Sequence, residues 1–346
     1  MHGHGTPYTA ADFARNPMMF YYEVTRACDL VCKHCRASAQ ETAAPDELAH
    51  ADSMKLISDV AKFPRKPTIC FTGGDPLKRA DLFELIQYAT DLGITTALTP
   101  SSTPLATYDA FKKAKEAGVS AIGLSIDGPN AEVHDAFRGF EGSFSKAMEM
   151  LAYARDLELP VQVNTSITRR NWEMVDAIAD LVEEKGATSW SVFFLVPVGR
   201  GVEEIRISPP EYRQVFARLY ENSLKRPFFV RTTEAPHYRR YVLDHGGEWR
   251  GVLGVIDGRG VMFVGHNGEI YPAGFLPVLC GRFPQDSVVD VYQNNPVFRA
   301  LRDPEQLKGR CGKCKSRQVC GGSRARAYAV NGDYLAEEPD CDFDLE

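Results

Sequence analysis

The sequence predicts an α/β fold built on a parallel sheet, with a smaller second domain at the C-terminal end, and three observations carry that prediction. From residue 18 to about 196, short β-rich runs alternate with longer amphipathic stretches, the pattern of repeated β-α units. Residues able to do chemistry, among them Cys28, Gly73, Gly74 and Asp127, fall at or just past the ends of strand candidates. In a parallel barrel the loops converge there and helix N-termini point inward. Beyond Arg200 the alternation gives way to a cysteine-rich tail.

Six strands are expected, at 18–24, 68–71, 95–98, 121–126, 161–166 and 190–196, with helical patterns such as 80–92 and 172–185 between them. A helix follows around 210–224, then a strand-turn-strand around 261–271 with Asn267-Gly268 at its turn. No internal repeat interrupts this order. The expected division is an N-terminal extension at 1–17, a barrel with bridging helices at 18–257 and a second domain at 258–346.

With 346 residues, 44% of them hydrophobic, the chain can bury the core of one large α/β domain and an appendage. A net charge of -6 with no block of like charges speaks against a nucleic-acid surface. No apolar run is long enough to span a bilayer, so neither nucleic acid nor membrane is expected as a partner. Residues 1–17 lack the cationic start and apolar middle of a secretory signal, which predicts a cytoplasmic protein in a reducing compartment. Disulfides are then not expected. The nine cysteines fall largely into CxxxCxxC and CxxCx5C groups, which points to metal. His2 and His4 read as part of a frayed end rather than as ligands.

In the segment Thr25-Arg26-Ala27-Cys28-Asp29-Leu30-Val31-Cys32-Lys33-His34-Cys35, three thiolates lie within eight residues on one loop. They can hold three irons of a 4Fe-4S cube and leave the fourth iron open. Zinc or inert buried thiols are the other readings, but a structural zinc normally takes four protein ligands, often in CxxC pairs. CxxxCxxC after a first strand, with the aromatic-type His34 before its last cysteine, resembles the radical S-adenosylmethionine (SAM) superfamily. The likeness runs from about Tyr21 to Cys341. It implies a partial (β/α)6 barrel of TIM type in which SAM chelates the open iron through its amino and carboxylate groups. One electron then splits SAM into methionine and a 5'-deoxyadenosyl radical. A flavodoxin- or ferredoxin-type electron donor is implied with it.

Further segments resemble the SAM pocket of that family. In Phe71-Thr72-Gly73-Gly74-Asp75-Pro76, glycines let the backbone come close and an acid receives the methionine ammonium. The usual acid is glutamate, and Asp75 is shorter by one methylene. Taken alone, the segment would read as an ordinary strand-ending turn. Ser125-Ile126-Asp127-Gly128 resembles the ribose-binding strand end, since a carboxylate accepts hydrogen bonds from both hydroxyls. In His134-Asp135-Ala136-Phe137-Arg138-Gly139, Arg138 matches the arginine that pairs with the SAM carboxylate through its planar fork. An Asp127–Arg138 structural ion pair is the alternative, and His134 reads as a packing or capping residue. Asn164 and Thr165, with Leu195-Val196-Pro197, fall where the family lines the nucleoside and adenine.

Cys311, Cys314, Cys320 and Cys341, spaced CxxCx5Cx20C, are enough to close a second 4Fe-4S cluster. They resemble the SPASM or twitch extension of radical SAM enzymes, whose full form carries seven cysteines. Here Ala273 and Arg324 stand where further ligands are expected. The surviving pattern looks most like the radical SAM enzymes of alternative heme biosynthesis and their nitrite-reductase heme relatives. A four-cysteine zinc site is the competing reading. Cys280, outside the set, reads as a buried thiol before it reads as a hydrogen donor or extra ligand, and Cys70 reads as core.

The function expected is hydrogen-atom abstraction from a small-molecule substrate, by this likeness a tetrapyrrole whose side chain is oxidised, decarboxylated or removed. The second cluster would accept an electron from the substrate radical or anchor it. A ribosomal peptide maturase and a sulfur-inserting enzyme of natural-product synthesis are the alternatives, although no room for a leader-recognition domain is visible before Met18. A non-catalytic electron carrier or SAM sensor would not need the whole pocket. His237, Arg239 and Arg240 read either as a grip for an acidic substrate or as surface salt bridges, and Arg169-Arg170 likewise.

Overall fold

The computed structural model describes residues 8–249 and 251–345, so His2 and His4 lie outside the described residues. Ten strands form one sheet: β1 (Met19–Thr25), β2 (Thr68–Gly73), β3 (Thr96–Leu98), β4 (Val119–Ser125), β5 (Val161–Ile167), β6 (Ser189–Phe194), β7 (Phe229–Thr233), β8 (Val261–Val264), β9 (Glu269–Tyr271) and β10 (Gly281–Arg282). Their order across the sheet is β10-β9-β8-β1-β2-β3-β4-β5-β6-β7. The pairs from β1 through β7 are all parallel, the arrangement of a partial barrel.

All six expected strands are present, with boundaries shifted by at most a few residues. Their side chains explain the curl of the sheet. In β5, Val161, Val163, Thr165 and Ile167 are buried while Gln162, Asn164 and Ser166 are half-buried. One face therefore packs on helices and the other lines the barrel interior. The helix Leu82–Asp91 covers the outer face with Leu82, Leu85, Ile86 and Ala89, and Val175–Glu184 does so with Val175, Ile178, Ala179, Leu181 and Val182.

A seventh strand, β7, continues the row beyond β6. It carries no strong sequence signal because Val230 is its one fully buried residue. At the opposite edge β8 pairs in parallel with β1, and the expected hairpin of β8 and β9 turns at Asn267-Gly268. The polar joint between the tail and the barrel is Arg326. Its guanidinium stands 2.8 Å from Glu338 and 3.1 Å from Asp340, and donates to the backbone carbonyls of Glu234 and Leu195. Among the described residues, no helix is long and apolar enough to cross a membrane.

Candidate active site

The loop after β1 carries Cys28, Cys32 and Cys35, and the segments around it fix its path by backbone contact. The Gly73-Gly74 turn at the end of β2 donates from Gly74 N to Thr25 O at 2.8 Å and from Asp75 N to Ala27 O at 2.6 Å. A Cβ on Gly74 would sit 2.4 Å from Ala27 O, and one on Gly73 2.3 Å from Thr25 O. Only glycine permits that approach. From the other side, Gly199 lies so close to the loop that a Cβ would meet Arg36 O at 2.3 Å. Arg200 then donates to Cys32 O at 2.9 Å and to Ala39 O at 2.8 Å. Neither Gly199 nor Arg200 was singled out by sequence, although both follow β6 at the expected end of the barrel.

Each of the three sulfurs receives an N–H group: Leu30 N at 3.4 Å from Cys28, Arg138 at 3.8 Å from Cys32 and Ala39 N at 3.4 Å from Cys35. Burial pushes the Cys32 thiol up to about 11, with Arg138 opposing it, and raises Cys28 as well. A thiolate at these positions needs added positive charge, which bound iron supplies. Among the described residues, no three His, Cys, Asp or Glu side chains converge closely enough for a single metal ion. Donors aimed at sulfur, with the thiols grouped in one apolar pocket beside Leu30, Ala39 and Phe140, suit a cluster spread over several corners.

Asp75 is fully buried and its carboxylate is occupied within the fold. It accepts from Leu77 N at 3.1 Å, Thr103 Oγ1 at 2.6 Å and Ser101 N at 3.4 Å, and burial holds its pKa above the ordinary carboxylate value. Asp75 therefore shapes the turn from below. Ser101, unmarked in the sequence, donates to Gly74 O at 2.7 Å and lies 3.7 Å from Cys28 Sγ.

At the end of β4, Asp127 is wholly buried and stands 2.5 Å from Arg138. Burial opposes its charge, but Arg138, with His34 and His134, holds its pKa below the ordinary value. Ser166 N donates to Asp127 Oδ1 at 2.7 Å. Despite the short contact, Asp127 Oδ2 and Arg138 Nε both lack an aligned hydrogen-bond partner. The ion pair foreseen as an alternative thus exists, and it keeps polar capacity facing the cysteine loop. His134 accepts from Asp127 N at 3.1 Å, while Asn130 caps its helix Ala131–Arg138. Asn171, also unforeseen, donates to Asp127 O at 2.9 Å. His34 stacks on Phe137 with ring centres 4.3 Å apart.

Ser125 and Asn164 are register partners on the half-buried inner face. Val196 is buried in a separate apolar cluster with Val255, Ala273, Leu276, Leu301 and Ala325, at the joint with the tail. Cys70, in β2, is buried with its sulfur 3.3 Å from Thr99 Oγ1. The Cys280 sulfur points to Val278 O at 3.3 Å, and burial raises its pKa to about 12.

In the tail, the sulfurs of Cys311, Cys314, Cys320 and Cys341 each face a donor or a cation. Glu338 N lies 3.3 Å from Cys311 Sγ and Gly322 N 3.3 Å from Cys320 Sγ. Arg324 reaches Cys311 at 3.6 Å, Arg240 reaches Cys314 at 3.8 Å, and Phe343 donates its backbone N–H to Cys341. Burial raises Cys320 to about 12 and Cys341 to about 11. Arg324, where a further cysteine is expected, thus serves the Cys311 sulfur as a cation. Arg240 turns to Cys314, and Arg239 donates to Gly254 O. Arg169 and Arg170 pair with Glu211 and Glu204, the salt-bridge alternative.

The Radical SAM superfamily pattern matches residues 22–182, from β1 through the helix after β5. The chain is 39% identical over 338 residues to the AdoMet-dependent heme synthase of Methanosarcina barkeri, covering 94% of this chain and 96% of that one. It is 38% identical over 357 residues to the AdoMet-dependent heme synthase of Nitratidesulfovibrio vulgaris, covering 98% and 96%. In fold it is similar to Streptococcus suis SuiB bound to S-adenosylmethionine, with a TM-score of 0.73 at 15% identity over 94% of this chain and 77% of SuiB. A parallel partial barrel with three thiols on its first loop agrees with those likenesses, and the chain belongs to the radical SAM superfamily, as an enzyme whose family implies a 4Fe-4S cluster and SAM.

Proposed function

We propose that this enzyme modifies a propionate-bearing tetrapyrrole, removing or oxidising a side chain in a heme-type synthesis. The observation that carries this reading is the near full-length similarity to AdoMet-dependent heme synthases, joined to a four-cysteine tail outside the superfamily pattern. In this reading Cys28, Cys32 and Cys35 hold the first cluster. Gly73 and Gly74 present backbone to the methionine end of SAM, with Asp75 bracing the turn. Asp127 and Ser125 serve the ribose, Arg138 the SAM carboxylate, and Asn164 and Val196 the nucleoside. When bound, the cluster supplies the electron that turns SAM into a hydrogen-abstracting radical.

Cys311, Cys314, Cys320 and Cys341 hold a second, fully ligated 4Fe-4S cluster, in a unit spanning 258–346 beside the barrel unit 18–257. A second cluster supplies a one-electron acceptor, which side-chain oxidation needs. Donors and arginines around these sulfurs support that assignment. A flavodoxin- or ferredoxin-type protein would deliver electrons to the first cluster, and nine free cysteines suit a cytoplasmic setting.

The test is anaerobic incubation of the loaded chain with SAM, a reductant and iron coproporphyrin III. The expected result is 5'-deoxyadenosine formed together with a tetrapyrrole of lower mass. Deoxyadenosine formation with the tetrapyrrole recovered unchanged would count against the substrate. About eight irons per chain are expected, and about four irons with one zinc would remove the second cluster.

A further inference from the structure

One cation inside the barrel has no counterion. Arg231, on β7, is half-buried, and its Nε is buried without a hydrogen-bond partner. Among the described residues it makes no ion pair, and its guanidinium lies 5.5 Å from the centre of the Phe229 ring. Burial lowers its pKa, with Tyr21 of β1 opposing that shift. A guanidinium withdrawn from water without a carboxylate is costly, and folds pair such groups or aim them at a ligand.

Its position says which ligand. Ser125 is the register partner of Asn164, Asn164 of Ser191, and Ser191 of Arg231. These four residues form one row across β4, β5, β6 and β7. Two of them, Ser125 and Asn164, are the nucleoside residues of the reading above. Arg231 ends the row three strand spacings from Ser125, about 14 Å along the sheet. In the reading above Arg138 already serves the SAM carboxylate, so a further cation on this row suits an anion of a second molecule.

We propose that Arg231 anchors a carboxylate of the substrate, a tetrapyrrole propionate, at the β7 end of this row. The assignment rests on the tetrapyrrole reading and adds the residue that selects for the acid. The planar fork of arginine suits a carboxylate because it can donate to both oxygens. Ser191 and Thr233, whose hydroxyls lie 3.1 Å apart beside it, give the pocket wall further polar groups.

The experiment titrates the anaerobic, cluster-loaded full chain with iron coproporphyrin III and with its fully esterified form, following the Soret band. Wild type should bind the acid roughly tenfold or more tighter than the ester, the value of one charged, bidentate contact. Arg231→Gln should lose most of that discrimination. Arg231→Lys, which keeps the charge and the fold but not the fork, should retain part of it. Unchanged discrimination in both variants overturns the assignment while leaving the tetrapyrrole reading intact. A wild-type chain that binds neither form overturns both.

Discussion

One guanidinium joins the end of β4 to the cysteine loop: Arg138 stands 2.5 Å from Asp127 and 3.8 Å from Cys32 Sγ. Removing one partner of a buried pair strands the other charge, so Arg138→Gln is expected to cost about 3 kcal/mol of folding stability in a urea titration. Asp127→Asn combined with Arg138→Gln should recover much of that loss, because no charge is then left unpaired. SAM affinity, measured by equilibrium dialysis, should stay low in both. Recovered SAM binding in the double variant would make the pair structural only.

Two glycines press on the cysteine loop from opposite sides. Gly74→Ala places a methyl 2.4 Å from Ala27 O, and Gly199→Ala places one 2.3 Å from Arg36 O. Backbone cannot yield to that, so the loop must move and its thiols with it. With the proposed tail cluster in place, either variant should load about four irons in place of about eight. Full iron content in both variants would show that the loop tolerates the displacement.

What the sequence made legible and what it hid divide along one physical line. Cys28, Cys32 and Cys35, the six strands and the Asn267-Gly268 turn are encoded in the spacing of near neighbours, which periodicity and turn chemistry report. Ser101, Asn171 and Arg200 act by folding back on Gly74, Asp127 and Cys32, across separations of 27, 44 and 168 residues. No local pattern carries such contacts. Asp75 lies in the expected turn, yet its neighbours in the chain cannot reveal that Thr103 claims the carboxylate. For Arg239 and Arg240, sequence offered an open choice, and only the packed structure turns Arg240 toward Cys314.

Acid should destabilise the fold before the carboxylates are titrated. Burial lowers His134 and His237 from an ordinary 6.5 to about 4, and neither His237 nitrogen has a hydrogen-bond partner. Between those values the unfolded chain binds protons that the folded chain refuses. The contribution is therefore complete above pH 6.5 and is lost as pH falls toward 4, at up to about 1.4 kcal/mol per pH unit for each histidine. His237 packs against Phe216 with ring centres 4.9 Å apart, so His237→Phe should keep the packing and flatten the slope. An unchanged slope between pH 6.5 and 4 in that variant would show that His237 is not buried neutral.

The arginines around the tail sulfurs should set how readily the proposed second cluster takes an electron. Reduction adds negative charge to the thiolate-bound irons, and an N–H donor or cation at 3.8 Å from Cys314 Sγ stabilises the reduced form more than the oxidised one. Arg324 is fully buried and also donates to Tyr334 O and Ala336 O, so its removal would disturb the fold itself. Arg240 is the cleaner probe. Arg240→Gln is expected to move the midpoint of the tail cluster to more negative potential, by on the order of tens of millivolts, and to leave the first cluster where it was. An anaerobic redox titration followed by electron paramagnetic resonance reads both centres in one sample. A shift in the first cluster alone, or in neither, would mean that Arg240 does not tune the tail sulfurs, and the electron-accepting role would then need another source of stabilisation.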